Sequence, residues 1–130
     1  MTSTVHQVTF DALSPAAVAR FWAAVLGTEA EYDPVPADDD WAEVADANGV
    51  TLLFLKVPDA KQLKNRLHLD LTPDVPRAEE VARIEALGAV VVEDFYEHGR
   101  WTVMRDPEGN EFCVLRSLAE KQAGENQGGE

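Results

Sequence analysis

The chain has 130 residues, of which 45% are apolar, and it can therefore close one hydrophobic core. It carries 24 acidic and 11 basic residues, and its formal net charge of −13 would repel nucleic acids and anionic membranes. No apolar run approaches the ~20 residues of a membrane span. A single cysteine, Cys113, excludes an intrachain disulfide, and the N-terminus has no signal-peptide pattern. We therefore expect a cytoplasmic protein that binds neither nucleic acid nor membranes.

An internal repeat is the most informative feature of the sequence. Residues 41–49 and 101–109 both read Trp, four residues, Asp, two residues, Gly, and 101 − 41 is 60. Two Leu-Gly pairs are 61 residues apart, and so are Pro15 and Pro76. Three markers at nearly one offset predict a duplicated unit of roughly 60 residues.

The first unit, about 5–57, has the pattern of one helix among strands. Ser14 and Pro15 suit a helix N-terminus, because proline lacks only an N–H that would have no helical partner there. Gly27 suits the helix end, where a left-handed conformation is needed. A loop rich in Pro and Asp, 34–40, follows this helix. The predicted elements are a strand at 5–10, a helix at 15–26, and strands at 41–45 and 50–57.

The second unit, about 66–116, repeats this order after a linker at 58–65. Val81, Ile84 and Leu87 give its helix an apolar stripe. The predicted elements are a strand at 66–71, a helix at 76–87, and strands at 89–93, 101–105 and 111–115, with turns at 97–100 and 106–109. The Gly- and Gln-rich segment 119–130 is expected to be a disordered tail.

These patterns predict an α+β fold built from two tandem βαβββ modules. One four-stranded sheet with one helix leaves its other face uncovered. We therefore expect the two modules to form a curved mixed sheet around a cup, with the helices outside, in a single domain over 1–118.

Three segments resemble the glyoxalase/bleomycin-resistance/dioxygenase proteins, the vicinal-oxygen-chelate superfamily, and most of all its glyoxalase-like domain proteins. They are FWAAVLG at 21–27, LHLDL at 67–71 and DPEGNEFC at 106–113. The resemblance implies a homodimer that binds a small polar molecule in the cup. It also implies either a metal-assisted enzyme, such as a lyase or isomerase, or a metal-free protein that sequesters a cationic compound as bleomycin-resistance proteins do. A third alternative is an inactive accessory domain that acts through protein contacts.

In the metal-using members one divalent ion is held by four positions, which the resemblance carries over to Gln7, Leu53, His68 and Cys113. The repeat supports this placement, since 68 − 7 is 61 and 113 − 53 is 60. Leu53 cannot bind a metal, and Cys113 stands in place of a carboxylate and favours softer ions. A divalent metal bound by Gln7, His68 and Cys113 is therefore a hypothesis, and glyoxalase I activity is not expected.

Strand alternation places polar side chains opposite the apolar ones, facing the cup. His68 and Asp70 alternate with Leu67, Leu69 and Leu71, which are predicted to face the helix. We interpret His68 as the candidate catalytic residue. The candidate ligand-binding residues are Gln7, Asp70, Cys113, Trp41 and Trp101.

Each of these residues also has a purely structural interpretation. His68 can be a histidine satisfied by a carboxylate, Cys113 a small buried apolar residue, and the two tryptophans part of the core. The acidic surplus can serve solubility alone or select a cationic ligand. The acidic run Asp38–Asp40 lacks the spacing of a calcium loop, and we interpret it as a solvated loop.

Overall fold

The chain forms two compact units, Met1–Gln62 and Leu63–Glu130. The computed structural model describes residues 1–94 and 101–126, so the predicted turn at 97–100 and the tail residues 127–130 lie outside the described residues. Within the described ranges, no helix is long and apolar enough to cross a membrane.

The first unit is a four-stranded sheet covered by one helix. Its strand order is β1-β4-β3-β2, with β1 parallel to β4 and the other neighbours antiparallel. The elements are β1 (Val8–Ala12), α1 (Pro15–Leu26), β2 (Ala30–Tyr32), β3 (Trp41–Ala45) and β4 (Thr51–Lys56).

The second unit repeats this topology and adds a terminal helix. Its strand order is β5-β8-β7-β6, again with only the first pair parallel. The elements are β5 (Leu69–Leu71), α2 (Arg77–Ala86), β6 (Val90–Asp94), β7 (Trp101–Arg105), β8 (Glu111–Leu115) and α3 (Leu118–Asn126).

Strand register confirms the duplication predicted from the sequence. Trp41 pairs with Leu55 in the first sheet, and Trp101 pairs with Leu115 in the second. Each residue of the second pair lies 60 residues after its counterpart in the first pair, since 101 − 41 and 115 − 55 are both 60. The α+β class and the two βαβββ modules are therefore confirmed.

One face of the first sheet is buried beneath α1, which packs on β2, β3 and β4. Val18 and Trp22 of the helix are 0% and 2% exposed, and Phe54 of β4 is 0% exposed. Phe10 stacks on Phe54 with ring centroids 5.4 Å apart. The buried apolar stripe, rather than helix propensity alone, accounts for the stability of α1.

The ends of α1 lie where the sequence predicts, but its cap comes from elsewhere. Ser14 occupies the N-cap position without a capping side-chain hydrogen bond. Asp39 of the acidic loop instead accepts a hydrogen bond from the Ala16 backbone N–H at 2.9 Å. Gly27 ends the helix in the left-handed conformation, φ 70°.

Two strands begin three residues later than predicted, and one strand was not predicted. β1 begins at Val8 rather than Val5, and β5 begins at Leu69 rather than Arg66, where its pairing with β8 starts. Leu67 is 80% exposed, so the prediction that it faces the helix is wrong. In the first unit the three-residue strand β2 is too short for its periodicity to be recognised.

The predicted disordered tail requires a correction, because residues 118–126 form α3. Ser117 and Glu120 make a reciprocal capping box. The Glu120 N–H donates to Ser117 Oγ at 3.1 Å, and the Ser117 N–H donates to Glu120 Oε1 at 2.9 Å. The same Oε1 accepts the Arg77 N–H of α2 at 2.7 Å. These bonds stabilise the start of α3, although the Gly- and Gln-rich composition of the segment predicts disorder.

Candidate functional site

The parallel pairing of β5 with β8 places two polar residues side by side in the second sheet. Asp70 is the register partner of Cys113. The neighbours of Cys113 along β8, Phe112 and Val114, are 1% and 0% exposed, and α2 packs on this strand. Alternation therefore directs Cys113 and Asp70 to the face opposite the helix, as the sequence predicts.

His68 joins these two residues in what we call the polar cluster, defined as His68, Asp70 and Cys113. His68 Nδ1 lies 2.9 Å from Asp70 Oδ1. One potential metal-binding atom from each residue lies within 4.8 Å of the other two. The His68 and Asp70 side chains are 43% and 51% exposed, whereas Cys113 is 8% exposed. A solute can therefore reach the cluster from the side of the histidine and the aspartate.

Burial raises the pKa of the Cys113 thiol to about 11, and the nearby negative charge and hydrogen bond of Asp70 act in the same direction. The positive charge of Lys64 acts against this shift. The group is consequently a neutral thiol near pH 7 when no metal is bound. It is not an activated nucleophile.

Residues 63–67, which we call the strap, lead into His68. The Asn65 backbone N–H donates to Glu111 Oε1 at 2.7 Å. Glu111 belongs to β8 and is 6% exposed, and its Oε2 lies 3.9 Å from Arg105 Nε. The middle of the strap is therefore fixed to the same strand that carries Cys113.

The other predicted site residues lie on or beside strands of the two units. Trp101 lies on β7 and is half-buried. It is on the same sheet face as Cys113, because Val103, two residues further along β7, pairs with Cys113. Gln7 directly precedes β1, and Trp41 lies on β3, each half-buried in the first unit. The grouping of these two residues with His68 stays a prediction.

The first unit does not repeat the polar cluster. Its register pair Thr9 and Leu53 corresponds to Asp70 and Cys113, since 70 − 9 is 61 and 113 − 53 is 60. Together with Gln7, this pair offers an amide, a hydroxyl and an aliphatic side chain. At these corresponding positions, the imidazole, carboxylate and thiol groups all belong to the second unit. The sequence indicated Asp70 as a ligand-binding residue and not as a metal ligand. The His-x-Asp spacing at 68–70 is the sequence signal for the proximity of these two side chains.

A second group of carboxylates, Asp33, Asp38 and Asp40, also has oxygen atoms within 4.8 Å of one another. Asp33 accepts backbone hydrogen bonds from Val35 and Asp40, each at 2.9 Å. These bonds lower the pKa of Asp33 and shape the exposed loop. This geometry agrees with the interpretation of the run as a solvated loop.

Comparison with known proteins identifies the family. The chain matches the family model of the glyoxalase-like domain over residues 7–115, and it belongs to that family. The resemblance to the vicinal-oxygen-chelate superfamily is thereby confirmed. A comparison with functionally curated protein sequences finds no significant match.

Solved structures of the same fold are distant in sequence. A possible glyoxalase from Bacillus cereus is 15% identical with a TM-score of 0.65, over 88% of this chain and 99% of that chain. The oxidase ChaP-H2 is 23% identical with a TM-score of 0.61, over 89% and 94%. The fosfomycin resistance protein FosX from Listeria monocytogenes, complexed with Mn(II) and sulfate, is 17% identical with a TM-score of 0.67, over 95% and 99%. At these identities the likeness shows the fold.

Proposed function

We propose that this protein binds a small polar molecule through a divalent metal ion held by the polar cluster. The observation that supports the proposal is the convergence of the imidazole, carboxylate and thiol groups within 4.8 Å of one another. Such a donor set is typical of sites that keep an open coordination position for a ligand.

The donor types decide which ion fits. A thiolate, an imidazole and a carboxylate form a mixed set that suits an ion of borderline softness, such as zinc. The hard Mn(II) ion present in the FosX complex prefers oxygen ligands. Because Cys113 must lose its proton to become a ligand, metal binding competes with that proton.

Each residue of the cluster has a distinct part in this proposal. A bound ion supplies Lewis acidity toward two adjacent oxygens of the ligand. His68, Asp70 and Cys113 would each supply one ligand atom to the ion. In the metal-free protein Asp70 lies 2.9 Å from His68 Nδ1 and orients the imidazole. His68 is the candidate catalytic residue, and Trp101 supplies an aromatic wall on the same sheet face.

Zinc binding tests this proposal directly. Chelator-treated protein without an affinity tag is titrated with zinc by calorimetry, and the metal content is then measured after gel filtration. We expect one ion per chain, and Cys113→Ser and His68→Ala should each weaken binding at least about tenfold. His6→Ala, which changes an exposed histidine outside the cluster, is the matched control. Equal binding by wild type and His68→Ala contradicts the proposal.

The acidic surplus of the chain favours a second candidate function, metal-free binding of a cationic small molecule. Without metal, Asp70 is the carboxylate of the cluster and Cys113 is neutral. In that case zinc does not bind, and Asp70→Asn abolishes binding of an organic cation such as a quaternary ammonium compound. The two candidates therefore give opposite results in the zinc titration.

The proposal includes the homodimer that the resemblance implies. It is supported by the large apolar side chains that the strap leaves exposed, Leu63 and Leu67. Isolated exposed apolar residues are common, but two on one short fixed segment favour an interface.

A further inference from the structure

The strap presents two leucines to solvent in a segment that is held in place. Leu63 is 82% exposed and Leu67 is 80% exposed. They lie on either side of Asn65, whose N–H is bonded to the buried carboxylate of Glu111. The leucines are therefore displayed from a fixed point on the second sheet.

The strap is also basic in a strongly acidic chain. Lys64 and Arg66 are exposed and alternate with the leucines and Asn65, and residues 61–69 contain no acidic side chain. Subtracting these two cations from the 11 basic residues leaves 9 against 24 acidic residues. The strap thus differs in charge from most of the surface available on another copy of this chain.

The acidic loop, residues 33–40, has the complementary character. It contains four aspartates and no basic residue. Asp38 and Asp40 are exposed, and Val35 is 50% exposed. Hydrogen bonds from the backbone to Asp33 and from Ala16 to Asp39 hold the loop in one conformation. A held loop loses little conformational entropy when it becomes part of an interface.

We propose that the strap of one copy binds the acidic loop of a second copy, with Leu63 and Leu67 as the apolar anchors and Lys64 and Arg66 facing the aspartates. This pairing assigns the interface of the homodimer, and it rests on the proposed function, which includes that homodimer. Burial of the leucines contributes apolar contact area, while the charges set orientation and the choice of partner.

A second copy suits this surface better than a polyanion does. A net charge of −13 repels nucleic acid and anionic lipid over the whole molecule. Two copies repel each other for the same reason, so they associate only where charges are locally complementary. The strap and the acidic loop provide that local match.

Charge exchange between two variants tests the pairing. Light scattering at micromolar concentration should show wild type larger than a monomer. Lys64→Glu with Arg66→Glu should dissociate it, as should Asp38→Lys with Asp40→Lys, each raising the dissociation constant at least about tenfold. An equimolar mixture of the two variants should recover the assembly, because each acidic strap then meets a basic loop.

Control variants separate this interface from other effects. Leu63→Ser with Leu67→Ser should also give monomers, whereas Leu118→Ser, at a leucine 64% exposed on α3, should not. Circular dichroism verifies that every variant is folded. A monomeric wild type overturns both the homodimer and its surface. A dimer that resists the strap variants, or a mixture that stays monomeric, overturns the surface alone and leaves the homodimer standing.

Discussion

At the scale of single residues, β8 carries two buried titratable groups, the carboxylate of Glu111 and the thiol of Cys113, in different environments. Glu111 is buried but accepts the Asn65 N–H and lies near Arg105, so its charge is compensated. Cys113, two residues further along, has a pKa raised to about 11 by burial and by Asp70. Neighbouring positions on one strand face therefore hold a carboxylate within a hydrogen-bond network and a protonated thiol.

The pH dependence of Cys113 follows from its raised pKa. In the metal-free protein we expect alkylation by iodoacetamide to rise toward pH 11 rather than near the ordinary value of 9.0. Asp70→Asn should lower this pKa, because it removes the nearby negative charge, whereas the exposed Asp59→Asn should not change it. Mass spectrometry of the alkylation rate against pH measures both. An unshifted wild-type profile would be contrary to this expectation.

The same shift has a consequence for stability. Because the folded-state pKa lies above the unfolded one, the unfolded chain loses the thiol proton first as pH rises. The contribution of Cys113 is fully present below about pH 9 and is lost between about pH 9 and 11.

At the scale of secondary-structure elements, Glu120 connects two helices. Its Oε1 accepts the N–H of Arg77 at the start of α2 and the N–H of Ser117 before α3. The N-cap position of α2 is Pro76, which has no side-chain acceptor, so this distant carboxylate supplies what the local sequence lacks. Both helix N-termini also favour a negative charge.

Removing this shared cap should destabilise the fold. Glu120→Ala should lower the free energy of unfolding by about 1–3 kcal/mol, since it removes two capping interactions. Glu120→Gln keeps an acceptor oxygen and should lose less. Urea denaturation at pH 7 measures both, with the exposed Glu85→Gln as the control. A change within experimental error for Glu120→Ala would refute the shared cap.

The loss should depend on pH in a defined direction. Burial raises the pKa of Glu120, but its hydrogen bonds with Ser117 and Arg77 outweigh that effect and hold the pKa below 4.5. The stabilisation is therefore present above about pH 4.5 and is lost as pH falls through the lower folded-state pKa. In acid, wild type and Glu120→Gln should converge.

Local patterns predicted the elements whose causes are local. α1, β3, β7 and β8 have their predicted bounds, because proline, glycine and period-two alternation mark them. β5 is shorter, since its start depends on where pairing with β8 begins. The cap from Asp39 to Ala16 spans 23 residues, and no sequence pattern indicates it. The capping box that begins α3 corresponds to the Ser-x-x-Glu pattern at 117–120, within a composition that is otherwise typical of a disordered tail.

In the candidate site, too, the features with local causes were predicted from the sequence and the others were not. Alternation predicted that Asp70 and Cys113 share a face, and their pairing in register agrees with this. The 2.9 Å contact between His68 and Asp70 depends on side-chain conformations, which the sequence does not specify. His68 lies just before β5 rather than within it. Strand periodicity predicted its proximity to Asp70, but the strand does not extend to His68 and therefore does not explain that proximity.

At the scale of the whole molecule, the duplication has retained the topology of both units while their chemistry has diverged. The second unit carries the polar cluster, and the corresponding positions of the first unit are Gln7, Thr9 and Leu53. An ion bound by this chain would draw its strong ligands from one unit. The carboxylate expected of a glyoxalase I base is replaced by Cys113.

We therefore expect no glyoxalase I activity. The hemithioacetal of methylglyoxal and glutathione should not be converted above the uncatalysed rate, whether the protein is loaded with zinc, nickel or manganese, because no carboxylate base accompanies the ion at position 113. Spectrophotometric detection of the thioester product measures this. Turnover at about 1 s⁻¹ or more would refute the expectation.

Every strand pair in the first sheet, including the parallel pair of β1 with β4, is formed within Met1–Gln62. No strand of this sheet pairs with a strand from the second half of the chain. During synthesis, chains grow from the N-terminus at about 5–20 residues per second, and domains generally fold as units. The first sheet can therefore form its strand pairs while the second half is still being translated, which shortens the time for which β3 and β4 are unpaired beside other nascent chains.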